Sequence, residues 1–133
     1  VINIFALNPL EKAVLEKIIT GNHPVQVILR EQLKGISVLE RRMTGVGFFT
    51  SFILSNAVPP VPMTKENAIF GDVGAKIPEL KSGAGFLLFL KSGYLFQLEG
   101  YTYEEDWPET INSFELFYFD PQRKKLLGIL SKL

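Results

Sequence analysis

The stretch "GFLLFLKSGYLFQLEGYTY", residues 85–103, decides the fold. Two apolar runs flank Ser92-Gly93, a dipeptide suited to the two-residue turn of a β-hairpin. Such a turn sets Lys91 opposite Tyr94, Leu90 opposite Leu95 and Phe89 opposite Phe96. Side chains alternate faces along a strand. Leu87, Phe89, Phe96 and Leu98 are therefore expected to share one wholly apolar face, packed on helices. The other face holds Phe86, Leu88, Leu90, Leu95, Gln97, Glu99 and Tyr101, and is either covered by another segment or open for binding.

Further strands lie on both sides of this hairpin. "ISVLERRMT", residues 36–44, and "FFTSFIL", residues 48–54, are rich in β-branched and aromatic residues. "NAVPPVPMTKEN", residues 56–67, reads as a connector, because its prolines cannot serve a central strand. "AIFGDVGAKIP", residues 68–78, is expected to form a short strand weakened by Gly71 and Gly74, and a last strand runs from Ser113 to Phe119. Toward the N-terminus, Asn8 can cap a helix that starts at Pro9 and carries Leu10, Val14, Leu15, Ile18 and Ile19 on one stripe. Gly21-Asn22 stops it. A second helix starts near His23-Pro24, with Val25, Ile28, Leu29 and Leu33 inward and Arg30, Glu31 and Lys34 outward, and ends at Gly35. "PQRKKLLGILSKL", residues 121–133, adds a short amphipathic helix with Leu126, Leu127 and Leu130 on one side. The expected class is α+β: an N-terminal helical hairpin packed on a largely antiparallel sheet of about five or six strands. Residues 1–133 are expected to form a single domain.

Composition removes several function classes. Fourteen Lys and Arg balance fourteen Asp and Glu, which argues against a general nucleic-acid binder. The chain has no cysteine, so disulfides, thiolate catalysis and cysteine-held metals are excluded, and a reducing, cytoplasmic setting is compatible. The opening "VINIFAL" is too short for a membrane span or a signal peptide and lacks a basic flank. No membrane partner, metal or cofactor is expected. His23 is the single histidine; at a helix start it suits capping better than catalysis.

Two Gly-x-Gly pairs, Gly45/Gly47 and Gly83/Gly85, precede strands. A dinucleotide-binding glycine loop follows a strand and opens a helix, so these glycines are read as relief for a tight turn or a close strand contact. "PPVP", residues 59–62, has the spacing of a polyproline ligand but reads as loop.

The best surface candidate is "LEGYTYEEDWPE", residues 98–109. Glu99, Tyr101, Tyr103, Glu104, Glu105, Asp106 and Trp107 interleave acids with rings and include no basic residue. That combination favours a protein partner with a basic surface, or a second copy of the chain as a homodimer. The plain alternative is a strand-end loop with solvated acids and Trp107 folded back on the core. A rival function class is a small-molecule binder or hydrolase with a pocket around Arg41, Gln97, Glu99 and Tyr101. "ERRMT", residues 40–44, puts Arg41 and Arg42 on opposite strand faces, one of them buried and paired with Glu31 or Glu99. Paired carboxylates of the kind glycoside hydrolysis needs are not specified by adjacent acids in a loop. No residue is assigned a catalytic role, and the chain is read as a non-enzyme.

"LREQL" (Leu29–Leu33), "TGVGFFT" (Thr44–Thr50), "GDV" (Gly71–Val73), "GAGFLLFL" (Gly83–Leu90), "LEGYTY" (Leu98–Tyr103) and Trp107-Pro108 together resemble a family of small uncharacterised bacterial proteins. The resemblance spans roughly residues 9–108. "ERRMTG" departs from the Arg-Glu pair that the family pattern places before Thr-Gly. The resemblance carries no established activity and so implies no catalytic residue and no cofactor. In size and isolation such proteins resemble the immunity proteins that neutralise bacterial toxins.

Overall fold

A computed structural model of the chain describes residues 5–55 and 57–133. The first four residues of "VINIFAL", and Asn56 at the head of the connector, lie outside them. Helix α1 (Pro9–Ile18) opens on the expected cap and makes it reciprocal. Asn8 Oδ1 accepts from Glu11 N at 2.8 Å, and Glu11 Oε1 accepts from Asn8 N at 2.9 Å. Helix α2 (Pro24–Leu33) begins on His23, whose Nδ1 accepts from Val25 N. Arg30 does not point outward as expected. It turns back and donates to the carbonyls of Ile19 and Gly21 at 2.8 and 2.7 Å, satisfying groups that the end of α1 leaves open. Two glutamines of α2, Gln26 and Gln32, are buried beside Val25 and Leu29.

Strands β1 (Ile36–Met43), β2 (Gly47–Leu54), β3 (Asn67–Phe70), β4 (Val73–Lys76), β5 (Ala84–Lys91), β6 (Tyr94–Thr102) and β7 (Glu115–Tyr118) form one antiparallel sheet. Their order is β1-β2-β6-β5-β4-β7, with β3 also paired to β5. The count is seven among the described residues because "AIFGDVGAKIP" breaks at Gly71-Asp72 into two strands, both lying along β5. Helix α3 (Lys124–Leu130) buries Leu126 and Leu130; Leu127, expected beside them, is exposed.

The hairpin turn is as predicted: Ser92 at φ 53° and Gly93 at φ 84° are both left-handed, as a type I′ turn requires. The register beyond it is not. After Leu90↔Leu95 the ladder slips, and Phe89 faces Gln97, leaving Phe96 as a bulged residue. A one-residue slip moves a strand's whole side-chain set to the other face. β5 turns Phe86, Leu88 and Leu90 to the helices, and on β6 the slip brings Leu98 to the same side as Leu95, while Leu87, Phe89 and Phe96 point away. The bulge is what lets Leu95 and Leu98, three residues apart, share one face. Gln32 holds this arrangement: its Nε2 donates to Gly93 O at 3.0 Å and its Oε1 accepts from Leu95 N at 2.9 Å.

Two ionic clusters fasten the helices to the sheet. Glu11 is fully buried. Its carboxylate accepts from Arg41 Nε at 2.7 Å, from Arg41 Nη2 at 2.6 Å, from Thr50 Oγ1 and from Asn8 N. Arg41 is thus the paired, partly buried arginine of "ERRMT", and its partner is Glu11 rather than Glu31 or Glu99. Bonding to Glu11 raises the Arg41 pKa above its ordinary value. At the other end of α1, Arg123 pairs with Asp72, donates to the carbonyls of Ile18 and Thr20, and lies 4.0 Å over the Tyr118 ring.

Breaking a buried pair by removing one partner leaves an uncompensated charge and costs about 3–5 kcal/mol. Arg41→Ala is expected to lose about that much stability in urea unfolding. Glu11→Leu combined with Arg41→Met should recover only part of it: no lone charge then remains inside, but Thr50 Oγ1 and Asn8 N lose their acceptor. A loss under about 1 kcal/mol for Arg41→Ala would contradict the role given to the pair.

Candidate functional site

Among the described residues, helices cover one side of the sheet only. Helices α1 and α2 pack on the face that carries Phe86, Leu88 and Leu98, and Leu126 and Leu130 of α3 join the same buried cluster. The opposite face is built by register. Ser51 faces Gln97, which faces Phe89, which faces Ile69; one step along, Arg42, Phe49, Glu99 and Leu87 form the next row. The bulged Phe96 is 42% exposed, and Ile69 and Phe119 are each 52% exposed. Exposed large apolar side chains on one sheet face make that face the candidate interaction surface.

Glycine makes room for rings on this face. A Cβ at Gly85 would stand 2.4 Å from the Tyr101 ring, and one at Gly74 would meet the Phe117 and Phe119 rings at under 3 Å. Of the two Gly-x-Gly pairs, Gly45, Gly47 and Gly83 serve the backbone and Gly85 makes room for the Tyr101 ring. Gly45 and Gly83 take positive φ before β2 and β5, and Gly47 passes so close to Gly100 O that any side chain would collide with it.

Among the described residues no donor or cation pairs with the Glu99 carboxylate, which sits between Phe49 and Leu87. Burial against these neighbours raises its pKa above the usual carboxylate value. Tyr101 is pushed up to about 12, first by burial and then by Tyr103 and Glu99. Tyr103 meets Tyr101 edge-on at 5.6 Å between centroids, and Gln97 Nε2 donates to Ser51 Oγ at 3.2 Å. The nearest cations are already engaged with rings: Arg42 lies 4.9 Å over Phe49 and Lys91 5.3 Å over Phe96.

The acidic aromatic run does not stay together. Glu99, Tyr101 and Tyr103 belong to the open face, and Glu104 and Asp106 are exposed at the turn. Glu105 accepts from the backbone N–H groups of Lys81 and Ser82 at 3.0 and 3.1 Å, which hold its carboxyl below the ordinary value. Trp107 folds to the helix side, edge-on to Phe48 at 5.1 Å, with its backbone N–H donating to Gly45 O.

The alternative pocket is not assembled either. Gln97, Glu99 and Tyr101 share the open face, whereas Arg41 pairs in register with Thr50 and points to the opposite side, where Glu11 holds it. Of the remaining candidates, "PPVP" is a loop pinned by Val61 N to Gly93 O at 2.8 Å, with Val61 buried. Sequence reasoning missed Glu11, Gln32 and Arg123. Glu11 had a readable signal, a Glu three residues after a capping Asn; the other two had none.

No group of three or more Asp, Glu or His among the described residues could hold a metal ion, and none of their helices is long and apolar enough to cross a membrane. No family model matches the chain, and no curated protein or solved structure matches it.

A carboxyl whose pKa is raised by folding stabilises the folded state below its unfolded value, and that contribution is lost as pH rises through the folded value. Ionised Glu99 therefore weighs against folding at neutral pH. Glu99→Gln is expected to unfold at a higher temperature than the parent at pH 7, with the difference closing near pH 4. Thermal melts at the two pH values check this; equal midpoints at pH 7 would contradict it.

Proposed function

We infer that this chain is a non-enzymatic protein-binding module of the bacterial cytoplasm, and that its open sheet face seats a protein carrying a Lys or Arg within an apolar surface. One observation carries this reading: a partly desolvated carboxylate, Glu99, with no donor among the described residues, lies between Phe49 and Leu87 on a face that also carries Phe89, Phe96 and Tyr101. A cation delivered there would remove the cost of that charge and pair with it in a site shielded by Phe49, Leu87 and Tyr101. The exposed acids Glu104 and Asp106 at the rim add long-range attraction for the same basic partner. The lack of cysteine fits a reducing compartment.

The same charge argues for a foreign partner over a second copy. Glu99 lies on β6, next to the midline of the sheet. A two-fold axis through the middle of the face would bring two Glu99 carboxylates within about two strand spacings, ~10 Å, of each other. An inhibitor that neutralises a basic bacterial toxin is the concrete version of this function.

The test uses affinity capture from native lysate, identification of the captured protein, and calorimetric titration with that protein purified. The parent should bind a protein with a basic, apolar patch; Glu99→Lys and Phe89→Glu should each weaken binding at least about tenfold while their circular dichroism stays parental. Equal binding by parent and both variants would reject the face. A concentration-dependent dimer in light scattering that both variants abolish would reassign the face to self-association.

A further inference from the structure

On the opposite side from the docking face, a cavity of about 290 Å³ opens between the start of α1, the ends of β1 and β2, and the 107–114 segment. Its walls are apolar: Leu10, Phe48, Trp107, Ile111 and Phe114. Asn8, Glu109 and Arg41 are the polar residues that border it, and Arg41 is the cation among them. Glu11 occupies the side-on edge of that guanidinium, taking Nε and one Nη2 hydrogen. The end-on edge, formed by Nη1 and the second Nη2 hydrogen, has no acceptor among the described residues. Arg41 lines the cavity and Glu11 does not. Arg41 keeps 29% of its side chain exposed, while four donors fix the buried Glu11. The free edge is therefore held in place before any ligand arrives.

We propose that this cavity binds a small aromatic monocarboxylate, its carboxylate accepting two hydrogen bonds from the end-on edge of Arg41 and its ring lying against Trp107 and Phe48. Two parallel N–H groups match the two oxygens of a carboxylate, a geometry that a neutral hydroxyl or a lysine ammonium does not reproduce. At ~30 Å³ per water-sized unit the space holds roughly ten non-hydrogen atoms, the size of phenylacetate. Glu109 borders the mouth but is solvent-exposed, so its repulsion is screened. This inference is independent of the docking face, and neither falls with the other.

Trp107 is the single tryptophan of the chain, so its fluorescence reports on this cavity alone. The experiment titrates the full chain with phenylacetate, benzyl alcohol and acetate, and repeats the phenylacetate titration on Arg41→Lys, which keeps a cation for Glu11 but lacks the fork. Phenylacetate is expected to give a saturable change with a dissociation constant on the order of 1 mM. Benzyl alcohol, acetate and the lysine variant should each be at least about tenfold weaker. No saturable response to phenylacetate, or equal responses to phenylacetate and benzyl alcohol, overturns the proposal. An Arg41→Lys variant that folds and binds as tightly as the parent overturns it too. Should that variant not fold, the three probes on the parent chain decide by themselves.

Discussion

The Glu11 carboxylate has no contact with water and sits where three elements meet. It belongs to the first turn of α1, its bonds reach Arg41 on β1 and Thr50 on β2, and its backbone helps to close the capping box. A buried charge is costly unless every lone pair has a donor, and here each one does. This need for complete pairing fixes the rotation of α1 about its axis and its height over the sheet. It also turns Arg41 away from the open face and onto the wall of the cavity beside Trp107. The placement of both candidate sites follows from it.

At the far side of the helix layer the same logic recurs with weaker groups. Gln32 has no charge, but its buried amide bridges α2 to both sides of the hairpin turn. Arg123 joins the end of α1 to Asp72. Polar groups in this core act as fasteners between layers, and the apolar residues around them fill space.

The open face stands in contrast. Its rings are laid over glycines and beside one carboxylate that nothing among the described residues relieves. A sequence selected for stability alone would place a neutral residue at position 99 and polar residues around it. Local conflict of this kind is typical of surfaces that are completed by another molecule.

Much of the architecture was legible from local chemistry. Asn8-Pro9 and His23-Pro24 started helices because caps act through neighbouring backbone N–H groups, and Ser92-Gly93 made its turn because both positions need left-handed φ. The α+β class followed from the change of hydrophobic period at Ile36. By itself the sequence thus determined where elements begin, which residues turn the chain and what the composition excludes. Tertiary structure decided which face of each strand is core, because a single bulged residue at Phe96 inverts the alternation and only packing against α2 selects it. It also decided the partners of Arg41, Gln32 and Arg123, since contacts across thirty to a hundred residues leave no periodic trace in the chain. For the same reason the run from Glu99 to Trp107, continuous in sequence, is divided between two sides of the sheet.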